Sequence, residues 1–537
     1  EHFEVLRLLG VKGAVIAITK ADLADEEILE LVERQIRDLV AGSVFEHSPI
    51  IRTSAVTGEG LAGLKATLKT QALALGERLA VDFFRMPVDR VWTKSGIGTI
   101  VTGTAWSGMV RKGDELVLEP GGRSVRVREV QSFERSLEEA AAGMRTALAL
   151  HGVRVQEVEA GMQALTPGVL APSNMIDAFI EVSRLSGGAI KSRQRLRYHH
   201  AGSEILGRVV ILEGETIAAG SSGYVQLRLE RPAVARRGDR FILRSYSPQH
   251  VIGGGRVLDP NPVKLTAHSA SAALSRLKIF DSAAAEEVAA ACAAMGGVRG
   301  FPVNGLTRYG LAPRAIGEAC AALAKERRAI EIEKRLYASD VVRDAERSLI
   351  AWIGTISAEN ELLWGVDRGE LKERSGLGEG PLFDFLIERG RKGGVFFLKG
   401  ARVRVGSGER ELSANDERAL AALQARVLEA GFAFATKSEL LAIVSDEKRL
   451  VSYLHILSDR GSIVRISSEG VMDAERHREL IERIKERLIA GGAVSVGDFK
   501  ELFGFSRKYA VPILEHLDRE GYTRREGDTR KAGPKLV

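Results

Sequence analysis

Arg85-Met-Pro-Val-Asp-Arg-Val-Trp92, Gly96-Ile-Gly-Thr-Ile-Val-Thr-Gly-Thr104 and Gly108-Met-Val-Arg-Lys-Gly-Asp-Glu-Leu116 form the stretch on which the reading of this chain turns. Short runs rich in β-branched residues are divided by Gly and Asp turn signals, as in Thr99-Ile-Val-Thr-Gly103, Asp114-Glu-Leu-Val-Leu118 and Val125-Arg-Val-Arg128. Strands of this length and spacing predict a small β-barrel over residues 77–170. Residues 171–265 repeat the pattern in Arg208-Val-Val-Ile-Leu212, Tyr224-Val-Gln-Leu-Arg-Leu229 and Arg240-Phe-Ile-Leu-Arg244, and predict a second barrel.

Toward the N-terminus, residues 1–76 alternate helix and strand signals. A helix end over 3–9, a buried strand over 14–18, an amphipathic helix over 26–40, a strand over 49–53 and a closing helix over 61–75 predict the second half of a parallel α/β sheet. Half a sheet leaves an open edge and exposed apolar faces, so this segment is expected to be unstable. Toward the C-terminus the text turns Ala-, Glu-, Lys- and Leu-rich, and one unit recurs with a period of about 65 residues: helix, helix, then two strands. The clearest copies are at 445–468 and 508–525, with weaker ones at 313–337 and 381–405. Four winged helices are predicted, over 266–338, 339–406, 407–474 and 475–537.

A chain of 537 residues exceeds one hydrophobic core. Its 45% apolar and 28% charged residues are those of a folded globular protein, and no stretch approaches the roughly 20 apolar residues of a membrane span. The two cysteines, Cys292 and Cys320, suit neither a zinc site nor a disulfide framework, which favours a reducing cytoplasm. The chain opens at Glu1 without a leader pattern, so its true start is expected elsewhere.

The run Ala14-Val-Ile-Ala-Ile-Thr-Lys-Ala-Asp22 sets Thr19, Lys20 and Asp22 at the C-terminal end of a buried strand, where open α/β sheets bind ligands. An aspartate there can accept from N1 and N2 of guanine, hydrogens that adenine lacks, while the lysine stem covers the ring. The alternative is an ordinary strand end with a helix cap. After the next strand, Thr53-Ser54-Ala55-Val56-Thr57-Gly58 supplies a small-residue loop whose amides can donate to the guanine O6. Neither a Gly-x-x-x-x-Gly-Lys-Ser/Thr phosphate loop nor an early Asp-x-x-Gly element occurs.

Thr19-Lys-Ala-Asp22 and Ser54-Ala55 resemble the two guanine-recognition motifs of translational GTPases, with Thr19 where many members carry asparagine. The stretch from Arg85 to Leu116 resembles the second domain of elongation factor Tu, and Arg240 to Gly255 the third. With the helical repeats, the whole chain resembles the bacterial selenocysteine-specific translation elongation factors. In that family the phosphate and magnesium elements precede Thr19, so the resemblance implies a chain beginning inside its GTPase domain and unable to hydrolyse GTP.

The resemblance further implies a selenocysteyl pocket at Asp89, Arg90 and Arg145, with Asp89 meeting the amino group and the arginines the selenolate. A local Asp89–Arg90 salt bridge is the other reading of those two residues. His199 and His200 either approach tRNA or divide between a buried and an exposed face of their strand.

The last unit holds Ser506-Arg-Lys-Tyr-Ala-Val-Pro512, with Ser506 as N-cap and Arg507, Lys508 and Tyr509 in the first helical turn. A wing would set Arg524, Arg525, Arg530 and Lys531 around the Gly527-Asp528 turn on the same face. Such a patch, with Tyr509 free to stack, suits a bulged RNA hairpin, whereas winged helices elsewhere also bind duplex DNA.

The expected function is therefore GTP-dependent delivery, with Mg2+ in the intact protein, of selenocysteyl-tRNA to the ribosome at UGA codons. An mRNA insertion hairpin would be held by the last winged helix. A cytoplasmic monomer is expected. The alternatives are a non-catalytic winged-helix nucleic-acid-binding protein, a DNA-binding regulator and a general translation GTPase.

Overall fold

The computed structural model describes residues 1–74, 81–266, 270–282, 284–359, 362–406 and 412–536. They form two compact units, Glu1–Val342 and Arg343–Val537. The boundaries expected at 76/77 and 406/407 touch residues outside the described ones.

At the start of the first unit, Ile16–Ile18 and Ile50–Arg52 pair in parallel, Ile16 opposite Ile50. Helix Glu26–Val40 is capped by Asp25, whose carboxylate accepts from the Ile28 amide at 3.0 Å, and Leu29 packs with Ile18, Ala21 and Ile50. Helix Leu61–Ala74 buries none of its residues. Leu68 and Leu73 on it are exposed, as are Leu31 and Leu39 on the other helix.

Helix His2–Leu8 leaves this small sheet and packs on the second barrel, Leu8 joining Ile242 and Val251 while Arg7 meets Glu181 at 3.0 Å. The site it rests on is made by Gly254, where a Cβ would lie 3.1 Å from the Leu8 Cβ and 2.6 Å from the Phe241 carbonyl oxygen.

The first barrel is an eight-stranded sheet curled about Met86, Val101, Leu118, Val127, Leu148 and Ala164. Gly103 lets strand Gly98–Thr104 pass close to the end of strand Arg85–Pro87: a Cβ there would stand 2.0 Å from the Pro87 carbonyl oxygen. The second barrel is closed by six strands, Ser173–Val182, Ser222–Ala233, Ser203–Ile211, Arg195–His200, Arg240–Ser245 and Val251–Asp259, bonded in that order. Both β-rich readings are thus realised as wrapped sheets.

Beyond the barrels, among the described residues, one order of elements recurs four times: helix, two-residue strand, one or two helical segments, and a hairpin whose last strand is central in a three-stranded antiparallel sheet. The short strands, Phe301–Pro302, Val366–Asp367, Ala435–Thr436 and Val494–Ser495, were not anticipated, because two residues leave no period in the sequence. In the second unit the last two copies share a core, with Phe434, Ile466 and Met472 of one packed among Leu480, Phe499 and Ile513 of the other.

Candidate functional site

The two loops expected to hold a base lie side by side at the mouth of the small parallel sheet. Thr53 donates its amide to the Ile18 carbonyl at 2.8 Å, and the Ala21 amide donates to Thr53 at 3.1 Å. Lys20 sits in the left-handed region at φ 57°, which turns the chain directly into the short helix Ala21–Leu23. Ser54 is fully buried, and its hydroxyl accepts from the amides of Val56 at 3.2 Å and Thr57 at 3.1 Å, which fixes the loop.

Thr19, Lys20, Asp22 and Ala55 are exposed. Among the described residues the Asp22 carboxylate has no hydrogen-bond partner and the Ala55 amide donates to none. One acceptor and one donor thus remain open at adjoining loops, which fits the edge of a guanine.

On the first barrel, Asp89 precedes strand Arg90–Lys94, and Arg145 opens strand Arg145–His151. Both flank strand Gly98–Thr104: the Asp89 amide donates to the Thr102 carbonyl at 2.9 Å, and Arg145 pairs with Thr104. The Arg145 guanidinium engages both oxygens of Asp89, Nη2 lying 2.9 Å from Oδ1, and the Thr102 hydroxyl donates to the same oxygen at 2.9 Å.

Partial burial raises the Asp89 pKa. The bonds from Arg145 and Thr102 and the charges of Arg145 and Arg90 outweigh that and hold it below the ordinary carboxylate value. Asp89 likewise raises Arg145. The salt-bridge partner of Asp89 is therefore Arg145, not its neighbour Arg90, which is exposed and has no ion pair among the described residues.

His200 does not face solvent. It is buried, with Nε2 3.1 Å from Asp239, in a network at the seam between the barrels. Arg85 there donates to Gln163 at 2.7 Å, and Arg236 meets Asp82 at 2.6 Å. His199 is half-buried, and burial lowers its pKa.

In the last repeat, Ser506 stands at the N-cap of helix Arg507–Arg519, yet its hydroxyl makes no capping bond. Three other helices of the second unit are closed by capping boxes, at Ser413, Thr436 and Ser495. The side chains of Ser506, Arg507 and Lys508 are exposed at that end.

Tyr509 is half-buried, its ring 5.1 Å from Phe434 edge-to-face and its outer side met by Lys508. The expectation of a free stacking ring is corrected accordingly: one edge belongs to the core. The wing is the hairpin Thr523–Glu526 and Thr529–Ala532, with Arg524 opposite Lys531. Arg524 and Arg525 are exposed, and Glu526 meets both Arg524 at 2.6 Å and Lys531 at 2.7 Å.

Arg530 does not share their exposed face. Its side chain is 6% exposed and bound to Asp518 at 2.8 Å, which fastens the wing to the helix. The sequence reading missed this because the partner lies on another element. Among the described residues no cluster of His, Cys, Asp and Glu could hold a metal ion, and no helix is long and apolar enough to cross a membrane.

Residues 98–164 match the family model of elongation factor Tu domain 2, and residues 178–264 that of the selenocysteine-specific elongation factor beta-barrel domain. Residues 486–532 match the elongation factor SelB winged helix. The chain is 31% identical over 542 residues to the selenocysteine-specific elongation factor of Desulfomicrobium baculatum, covering 99% of this chain and 84% of that one. Its likeness to the factor of the same name from Escherichia coli (strain K12) is 26% over 532 residues, 98% of this chain and 83% of that one. A crystal structure of bacterial selenocysteine-specific elongation factor EF-Sec shares the fold, with a TM-score of 0.66 at 23% identity, over 99% of this chain and 83% of the other. On that near-complete alignment, this chain belongs to the family of selenocysteine-specific elongation factors.

Proposed function

We propose that this selenocysteine-specific elongation factor carries selenocysteyl-tRNA on its barrels and grips an mRNA insertion hairpin with its last repeat, delivering the tRNA to the ribosome at UGA. Asp89 meets the amino group of the aminoacyl end, and Arg145 and Arg90 face the selenolate. Each of the four helix-and-hairpin repeats is read as a winged helix, and the protein as a cytoplasmic monomer. Only the last carries the RNA site, formed by Ser506, Arg507, Lys508, Arg524 and Arg525, with Tyr509 at its edge.

Thr19, Lys20, Asp22, Ser54 and Ala55 are assigned to the guanine of GTP, which selects that nucleotide by its base edge. When bound with Mg2+, GTP supplies the switch between holding and releasing tRNA. The assignment rests on the unpartnered Asp22 carboxylate and Ala55 amide beside it.

The observation that carries the reading is the uncapped N-terminus of helix Arg507–Arg519, with Arg507 and Lys508 exposed in its first turn beside the wing arginines. Free amides and cations at one helix end form a phosphate site. The test is binding of the chain to a bulged hairpin RNA and to duplex DNA of equal charge at fixed salt, repeated with Arg524→Ala and Arg525→Ala together. Hairpin preference that disappears in the double variant supports the reading. Equal binding to both nucleic acids defeats it and favours a non-specific winged-helix protein.

A further inference from the structure

Where the chain leaves the second barrel, a row of polar side chains crosses the sheet. Gln226, Asp177 and Asp259 stand side by side on strands Ser222–Ala233, Ser173–Val182 and Val251–Asp259, and all three are wholly buried. Asp177 is opposite Asp259 next to a bulge that sets Ala178 opposite Val257 and leaves Leu258 to the core of the first repeat, with Leu277, Phe280 and Tyr309. Residues opposite one another in such a ladder have Cβ atoms about 5 Å apart, so two carboxyl groups share one small space.

One oxygen of each is bound. Asp177 Oδ1 accepts from Gln226 at 2.9 Å, and Asp259 Oδ1 accepts from the Tyr309 hydroxyl at 3.0 Å and the Asn261 amide at 3.1 Å. The Oδ2 of each is buried with no hydrogen-bond partner among the described residues. Gln226 also donates to the Val263 carbonyl at 3.0 Å and accepts from the Leu265 amide at 3.2 Å. The row thus straps residues 261–265, between barrel and first repeat, onto the barrel wall, and Tyr309 ties the repeat to the same carboxylate.

Two buried anions this close repel, and a proton placed between them turns repulsion into a hydrogen bond. The cations facing the pair are Arg228 on its own sheet, Arg276 on helix Ala270–Ser282 and Arg308 on the helical segment Val303–Tyr309. The Nε groups of Arg276 and Arg308 are themselves buried without a partner among the described residues. Burial and then Asp259 push up both the Cys292 thiol, on helix Ala285–Gly296, and the Tyr309 hydroxyl, so both stay neutral. Burial, aided by Asp259 and opposed by the bond from Gln226, pushes Asp177 up to about 7, and burial raises Asp259 as well.

We propose that Asp177 and Asp259 share one proton, and that this proton closes a latch holding the first helical repeat and its leading segment on the second barrel. When the latch opens, the proton passes to water and the two carboxylates become hydrated anions. Both carboxyls are raised in the closed form, so its advantage is complete below the ordinary value of about 4 and is lost as pH rises toward 7. Movement of the first repeat against the barrel is thereby coupled to release of a proton.

The Asn261 and Leu265 amides report on the latch directly, through hydrogen-exchange protection factors, which already allow for the intrinsic pH dependence of exchange. In the wild-type chain these should fall about tenfold or more between pH 5 and 7 and change little between 7 and 8. In Asp177→Asn the new amide keeps a donor toward Asp259 at every pH, while its oxygen still accepts from Gln226. Protection should then stay near the wild-type pH 5 value throughout, with the thermal midpoint preserved, and Asp259→Asn should behave alike. Wild-type protection that is level from pH 5 to 8 would overturn the proposal. So would the wild-type slope persisting in both variants, or protection lost at every pH in both together with a lower midpoint, which marks packing rather than a shared proton.

Discussion

Arg85 and Asp239, one from each barrel, meet in two hydrogen bonds of 2.8 and 2.7 Å across the seam. Their side chains are 3% and 11% exposed. Burial alone would raise the Asp239 carboxyl, but the charge of Arg85 and the bond from His200 dominate and hold it far below the ordinary range. Removing one partner strands a buried charge, so Arg85→Ala should cost about 3–5 kcal/mol in thermal or denaturant unfolding. Because the folded pKa is depressed, the stabilisation is complete above about pH 4 and lost only as pH falls further. Asp239→Asn should therefore erase the advantage at pH 7 and matter little in strong acid.

A second pH effect runs in the more accessible range. His477 and His516 are buried with their Nε2 atoms 3.1 Å apart, and Arg519 donates to His516 Nδ1 at 3.1 Å, so His516 carries its proton on Nε2, donates it to His477, and both rings are neutral in this arrangement. Burial, then the facing His516, pushes His477 down to about 4, and burial also lowers His516. A lowered histidine stabilises above the unfolded pKa of about 6.5 and loses that contribution as pH falls toward 4. For His477 alone the loss at pH 5 is about 2 kcal/mol by linkage. The midpoint of the unit Arg343–Val537 should fall between pH 7.5 and 5, and His477→Phe should flatten the dependence.

Gly254→Ala should destabilise the second barrel by about 1–3 kcal/mol, because the new methyl presses on the Phe241 carbonyl and on Leu8. Gly188→Ala is the control, since a Cβ there meets nothing within 4 Å. Equal midpoints for the two variants would show that helix His2–Leu8 yields without resistance.

Glu526 lies between two wing cations and is lowered first by its bond to Lys531, then by that to Arg524. Any phosphate that reaches this wing has to compete with it. Glu526→Gln should tighten binding to unrelated RNA and steepen the log-affinity versus log-salt slope by about one unit, with hairpin preference reduced.

The sequence made the wrapped sheets legible because alternating β-branched runs and Gly turns encode them locally. It also carried the pairing of the Thr19 and Ser54 loops, since both sit at the ends of recognisable strands. What it hid depends on distant partners. Asp89 answers to Arg145, 56 positions away, and Arg530 is drawn inward by Asp518 on a neighbouring helix. A basic residue in a strand looks the same whether solvent or a carboxylate receives it. Ser506 illustrates the opposite failure: the residue type is right for a cap, yet the bond is not made.

The Asp89–Arg145 pair has one more consequence. In the proposed pocket the two residues form a couple of opposite charges, with the Thr102 hydroxyl holding the carboxylate in place. A ligand bringing only an ammonium would free Arg145 without giving it an anion, and one bringing only an anion would do the converse to Asp89. An amino acid that presents an ammonium and an anionic side chain together exchanges one couple for two and leaves no charge unanswered. On the proposed reading of this site, an aminoacyl group with a neutral hydroxyl would not complete that exchange, so cargo would be sorted by the arithmetic of charge rather than by size.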